Sequence, residues 1–357
     1  MGSLTNVSNL SNHKSTGLHN EDPLGRAVAL VAIETIFALA ITTASLLGNA
    51  LVIYVVRKDS RLRTITNVFI ESLAWTDVCM AFLHMPFWVG SIITGRWVAG
   101  QTFCPWAAAM QFTFGICSIL TMGLIAVNRF FKVVKSNSYA KYFKSRRSAV
   151  FYCLLVWMAA ALLATPPLYG WGVMRYHDKF ALCTLIWDKQ HLSYVLTIIL
   201  GVINGTTVVI FYCYYKIYKT VKSSSTNVAA HLQNNASHAT DIKLLKSTFA
   251  VVCFFLATWM PVSLVVVYET VGGRPPRFVF ASVIFLMFTS SCGNPIIYGI
   301  LNPQFRRAFL SVFKCRLSFA TDEGSTSNIF AQSRATAQTS TLHCEKPPNA
   351  LAPTSVG

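Results

Sequence analysis

Apolar and polar positions along the chain fall into long blocks rather than the short strides of a soluble fold. Seven apolar blocks stand out, at about Ala27–Val56, Thr66–Ile93, Phe103–Val134, Ala149–Leu168, Leu192–Val221, Lys243–Val271 and Phe278–Leu301. Each is close to or above the roughly 20 residues that a helix needs to cross a bilayer. The pattern predicts an all-α membrane protein, a seven-transmembrane helix bundle. Ser223–Thr240, rich in Ser, Asn, Ala and His, reads as a flexible loop between the fifth and sixth blocks. After Asn302-Pro303-Gln304 the run "FRRAFLSVFKC" sets Phe305, Phe309, Val312 and Phe313 on one helical face, opposite Arg306, Arg307 and Lys314. That is a short amphipathic eighth helix suited to the membrane interface, with Cys315 at its end placed for palmitoylation. The chain divides accordingly into a polar tail (1–26), the bundle (27–301), the amphipathic helix (302–316) and a Ser/Thr/Ala/Pro-rich segment of disordered composition (317–357).

Composition agrees with this division. The chain is 54% hydrophobic and only 12% charged, where soluble domains run at about 25% charged. Its net charge of +17 raises the question of a nucleic-acid partner, which the placement of the bases answers. Arg57, Lys58, Arg61 and Arg63, then Lys132 to Arg147, then Lys216, Lys219, Lys222, Lys243 and Lys246, then Arg306 to Arg316 all fall in alternate connections. The intervening connections carry far fewer. This asymmetry is that of a multi-pass plasma-membrane protein with its N-terminus outside, and it calls for no nucleic acid. The topology makes Asn6-Val7-Ser8 and Asn9-Leu10-Ser11 glycosylation acceptors. No apolar leader precedes the first block, so that block is expected to carry the tail across. Of ten cysteines, only Cys104 and Cys183 fall in outer segments. Pairing of these two, against two free thiols, is the expectation.

Polar groups inside the blocks are costly and mark function. Asp77 is mid-block in "NVFIESLAWTDV", and Asn49, Ser118, Ser290, Ser291 and Asn294 lie at similar depth. One acid among Asn and Ser oxygens makes a site for a hard cation such as Na⁺, or for a proton. Two prolines, Pro261 in "TWMPVS" and Pro295 in "NPIIY", kink their helices beside Trp259 and Tyr298. A transporter or channel running through Asp77 is the rival reading, but no internal repeat supports it. No paired aspartates, HExxH helix or Ser–His pair suggests an intramembrane enzyme.

Taken together these residues resemble the rhodopsin-like family of G-protein-coupled receptors. The matching elements are Asn49, "LAWTD" to Asp77, "WVAGQTFC" to Cys104, "NRF" at Asn128–Phe130, Trp157, Cys183, Tyr214, "FFLATWMP" with Phe255, Trp259 and Pro261, "NPIIY", and Phe305. The resemblance implies an extracellular ligand, a heterotrimeric G protein, arrestin and receptor kinases as partners. It also implies that Arg129 clamps the inner ends of spans three and six at rest and meets the G protein when active. Asn128 replaces the family's acid, so Asp241 is left to supply the clamp and the off-state is expected to be shallow. Thr206 stands where span five of the family carries proline, and Asn204 and Gly205 are expected to loosen the helix there instead.

The same resemblance locates a ligand cavity in the outer halves of spans three, five, six and seven. Gln111 stands where amine receptors have aspartate, and Phe288 where opsins have the retinal lysine. No cofactor is therefore expected beyond an allosteric Na⁺. Cys183-Thr184 and "IYGILNPQFRR" look melatonin-receptor-like and "PPLYGWG" opsin-like, although Pro167 and Trp187 replace the melatonin anchors. The expected lining is Gln111, Phe112, Gly115, Leu185, Trp187, Tyr194, Ile198, Val262, Ser263, Val266, Ile284, Phe285 and Phe288, with His84 from span two. Such a lining suits a small, largely apolar ligand.

Overall fold

The computed structural model describes residues 22–187, 190–227 and 235–312, without the side chains of 224–244. Among these residues seven helices are long and apolar enough to span a membrane. They are α1 (Val28–Lys58), α2 (Ile65–Thr94), α3 (Phe103–Val133), α4 (Arg146–Ala164), α5 (Leu192–Ser223), α6 (Asn235–Thr270) and α7 (Arg277–Leu301). The eighth, α8 (303–312), follows a one-residue break at Asn302, whose side-chain oxygen caps it at Gln304 N. Cys315, Asn6 and Asn9 lie outside the described residues.

The helices are held by packing and by a few buried polar ties. α3 is central and mostly buried, whereas α1, α4 and α5 turn large apolar side chains such as Phe37, Leu162 and Val208 outward. Apolar surface on that scale on a helical bundle is where lipid belongs. Asn49 Nδ2 in α1 donates to the carbonyl of Ser291 in α7 at 2.8 Å, and Trp157 Nε1 in α4 donates to Ser72 Oγ in α2 at 3.1 Å. At one end of the bundle Cys104 and Cys183 form the expected disulfide. It ties the start of α3 to a hairpin of β1 (Met174–His177) and β2 (Leu182–Leu185), paired antiparallel with Tyr176 opposite Cys183. The other end carries Arg129.

Several boundaries depart from the sequence reading, each for a local reason. α4 stops at Ala164 rather than Leu168, because Pro166 and Pro167 force a 3₁₀ turn over Pro166–Tyr169. The expected loop 223–240 is helical at both ends, α5's last helical turn running to Asn227 and α6 starting at Asn235. No Gly or Pro lies between Thr206 and Met260 to stop either helix. Two helices also contain π turns, at Met80–His84 in α2, just before Pro86, and at Thr197–Asn204 in α5, ending at Gly205. The second forms without a proline, so the loosening expected at Asn204 and Gly205 takes the form of a bulge. α2 ends at Gly95, whose φ of 67° is left-handed and favours glycine.

Candidate functional site

The polar residues singled out in the sequence stand at three depths. At the arginine end, Asn128 and Arg129 are both buried, 0% and 2% exposed. The amide of Asn128 joins three elements. Its Oδ1 accepts from Thr66 Oγ1 of α2 at 2.8 Å, and its Nδ2 donates to the hydroxyl of Tyr139 at 3.3 Å. Tyr139 belongs to a two-turn helix, Ser136–Tyr142, in the connection after α3. The position that would hold an acid is therefore a neutral strut. Phe130 packs on Phe131 and on Tyr212 of α5, Tyr214 packs on Phe249 of α6, and Tyr298 stacks on Phe305 of α8 at 5.3 Å. The side chain of Asp241, and with it the expected Arg129–Asp241 clamp, lies outside the described residues.

At mid-depth Asp77 is 3% exposed and accepts from Asn294 Nδ2 at 2.8 Å. Beside it is a cavity with about 10 Å³ for the centre of a water-sized sphere, room for one water or one small cation. Asp77, Ser118, Ser290, Ser291 and Asn294 supply its oxygens, and Phe114, Gly115, Phe255 and Trp259 its apolar wall. Five of the six polar residues expected at this depth thus meet around one space. Asn49 does not line it; its Nδ2 donates to the carbonyls of Ser45 and Ser291. Trp259 roofs the cavity. Its Nε1 donates to Ser290 Oγ at 3.1 Å and its ring stacks on Phe255 at 5.1 Å. A Cβ on Gly115 would sit 2.7 Å from Trp259 Cη2, so the glycine is what lets the indole lie there.

At the disulfide end the expected lining residues are largely buried and divide between two packed groups. Val266, Ile284 and Phe288, with Val262 and Phe285, pack with Trp88 of α2 and with Phe180, Ala181 and Leu182 at the hairpin tip. Leu185, Tyr194, Ile198 and Phe112 form the other group with α4. Trp187 touches both. The tip itself is almost fully buried, with Phe180 3%, Ala181 3% and Leu182 1% exposed. Two polar side chains of the lining are already committed, Tyr194 OH to the carbonyl of Leu163 and Ser263 Oγ to that of Trp259. His84 Nδ1 lies 3.2 Å from the carbonyl of Ala107.

Two features of this end escaped the sequence reading. Trp88 follows His84 by one turn and packs on Phe285 and Phe288 at 5.0 and 4.5 Å; its position on the His84 face was the available signal. The other is an ion-pair knot. Arg277 at the start of α7 grips Glu34 of α1 through both carboxylate oxygens at 2.7 Å, and Arg26 reaches the same carboxylate at 3.3 Å. Arg26 also donates to Asp22 and to the carbonyl of Ile92 in α2. The bond from Arg26 pulls the Asp22 carboxyl down from 3.8 to about 2. Glu34, an acid inside "LVAIETIFALAI", was the overlooked sign.

This arrangement has relatives. Human visual pigment-like receptor peropsin is 28% identical over 278 residues, covering 76% of this chain and 81% of peropsin. Melatonin receptor type 1B-B of Danio rerio is 28% identical over 314 residues, 87% of this chain and 88% of that receptor. The crystal structure of squid rhodopsin superposes with a TM-score of 0.73 at 24% identity, over 88% of this chain and 97% of that one, which speaks to fold. A family model described as 7 transmembrane receptor (rhodopsin family) matches residues 48–298. With seven spans, the α3–hairpin disulfide and polar residues at three depths, the chain belongs to the rhodopsin family of seven-transmembrane G-protein-coupled receptors.

Proposed function

We propose that this receptor sits in the plasma membrane with the disulfide end outside. There it converts binding of a small, largely apolar ligand into GDP–GTP exchange on a heterotrimeric G protein that docks at Arg129. The basic residues at the arginine end support this orientation, and Asn6 and Asn9 are then available for glycosylation. The observation that carries the reading is Trp259. It packs with both the apolar group that holds the expected ligand residues and the core around the arginine end, and it is bonded to Ser290 over the Asp77 cavity. Pro261, two residues on, is the only proline within α6, and Pro295 interrupts α7 next to Asn294. A ligand that displaces Trp259 therefore acts on two proline-containing helices and the polar cavity at once.

Retinal held as a Schiff base does not fit, because α7 contains no lysine and Phe288 fills the corresponding position. A sodium ion fits, and would be held by Asp77 with Ser118, Ser290 and Asn294. Arrestin, receptor kinases and a palmitoyl group on Cys315 are carried over from the family likeness.

The deciding experiment places purified receptor in lipid nanodiscs with a panel of Gα subunits. Basal or ligand-driven exchange that Arg129→Leu abolishes supports the reading. Solute flux through the protein without exchange on any Gα subunit would replace it with the transporter reading.

A further inference from the structure

Hydrogen-bonding capacity left over at the disulfide end points to the chemistry of the ligand, on the reading of this bundle as a receptor. His84 is 0% exposed and its Nδ1 faces the carbonyl of Ala107 in α3. A carbonyl only accepts, so Nδ1 holds the imidazole proton and Nε2 is a bare acceptor lone pair. That Nε2 is buried and has no partner among the described residues. Gln111 stands one helical turn beyond Ala107, so it emerges on the same stretch of the α3 surface. It is 5% exposed, and its Oε1 is likewise buried with no partner among the described residues. Native interiors rarely leave such buried acceptors unmet, since each forfeits a hydrogen bond that water would have given it.

The surroundings narrow the choice. Phe288 lies 5.9 Å from the His84 ring and Trp88 4.5 Å from Phe288, so the imidazole edge opens among flat aromatic faces. The nearest acid on α2, Asp77, is two turns toward the arginine end and is bonded to Asn294. A ligand ammonium would have to shed its water at His84 without a counter-charge, and a ligand offering only acceptors would meet lone pairs. The π turn over Met80–His84 is what ends in this histidine, and bulges of that kind recur where a helix must re-aim a functional side chain.

We infer that the ligand is a neutral aromatic molecule carrying an N–H or O–H donor that bonds His84 Nε2, with the Gln111 amide as the second polar contact. The test compares indole with 1-methylindole, which share a ring system and differ in one N–H, by thermal unfolding of the receptor in lipid nanodiscs. Indole should bind about tenfold more tightly, the worth of one hydrogen bond to a buried acceptor. The preference should vanish in His84→Phe and persist in Gln111→Leu, because indole's one N–H is taken by the imidazole. Should His84→Phe not fold, His84→Asn takes its place, and the wild-type comparison stands without either variant. Equal binding of the two probes, no stabilisation by either, or a preference that survives loss of the imidazole overturns the inference. Those outcomes leave the receptor reading intact, since that reading falls only with the exchange assay.

Discussion

Replacing Glu34 should loosen the disulfide end of the bundle. The carboxylate makes three charge-assisted bonds, two of 2.7 Å from Arg277 and one of 3.3 Å from Arg26. Side-chain exposures are 10% for Glu34, 2% for Arg26 and 22% for Arg277. Breaking a fully buried pair costs about 3–5 kcal/mol, whereas exposed pairs are worth about 0–1 kcal/mol. Arg26 keeps Asp22 and the Ile92 carbonyl after the change, and Arg277 regains some water, so Glu34→Ala should fall between these limits, at about 2–3 kcal/mol. Removing both partners behaves differently. In Glu34→Leu/Arg277→Met no charge at that contact is stranded, and the double variant should be within about 1 kcal/mol of the original.

Reaction of a thiol-specific dye with Cys117 and Cys153, both buried, reports unfolding during a temperature ramp. Single and double variants then form a cycle whose coupling term isolates the pair. Strict additivity of the two single changes, or a loss below about 0.5 kcal/mol for Glu34→Ala, would show that the knot is ornamental and refute the reasoning.

Four further outcomes are expected. Asn128→Asp still accepts from Thr66 and places an acid beside Arg129, so basal exchange should drop at least about twofold, since the pair is more buried than the exposed pairs worth about 0–1 kcal/mol; unchanged exchange would mean Asn128 does not set the off-state. Gly115→Ala drives a methyl to 2.7 Å from Trp259, and should raise basal exchange while costing about 1–3 kcal/mol of stability in the dye assay. NaCl should stabilise the receptor more than choline chloride at equal ionic strength, and Asp77→Asn should erase the difference; equal shifts from both salts exclude a cation at the cavity. The Asp22 carboxyl is depressed from 3.8 to about 2, so its contribution is complete above the ordinary value and disappears as pH falls through the lower one. Asp22→Asn should therefore flatten part of the acid limb of the stability curve and leave the limb above pH 5 untouched.

Much of this architecture is legible in the sequence. Seven spans follow from block length alone, the inside–outside topology singled out Cys104 and Cys183 as the pair, and shared depth put Asp77 with Asn294. What the sequence hid is what depends on several elements at once. The π turns at Met80–His84 and Thr197–Asn204 leave no periodicity signature, because one extra residue in a helix is invisible in an all-apolar run. Gly115 read as pocket lining because its neighbour across the bundle, Trp259, is more than a hundred residues away in sequence. The tip Phe180–Leu182 is a loop segment by sequence, yet it packs where a ligand was expected, and only the hairpin register and the tie to α3 put it there. Glu34 is a different kind of miss, since the rule that flagged Asp77 applies equally to an acid in α1.

Glu34, Asp77 and Arg129 together suggest how such a bundle keeps two states close in energy. Each is a charged group buried between helices, but their company differs with depth. Glu34 has two guanidinium partners fixed by short bonds, which is a rigid tie between α1 and α7. Asp77 is met by the neutral amide of Asn294 across a space the size of one ion, so its stabilisation depends on what enters. Arg129 has a neutral Asn128 beside it, and that amide is already engaged with Thr66 and Tyr139. The Glu34 ion pairs thus tie α1 to α7 at the disulfide end, where the proposed ligand would enter. Asp77, met by a neutral amide, lies beside the cavity that Gly115 and Trp259 wall, and its partner Asn294 is followed by Pro295 in α7. Helices tied at one end and lightly committed around the Asp77 cavity can pivot there, and a few kcal/mol of binding is then enough to choose between positions.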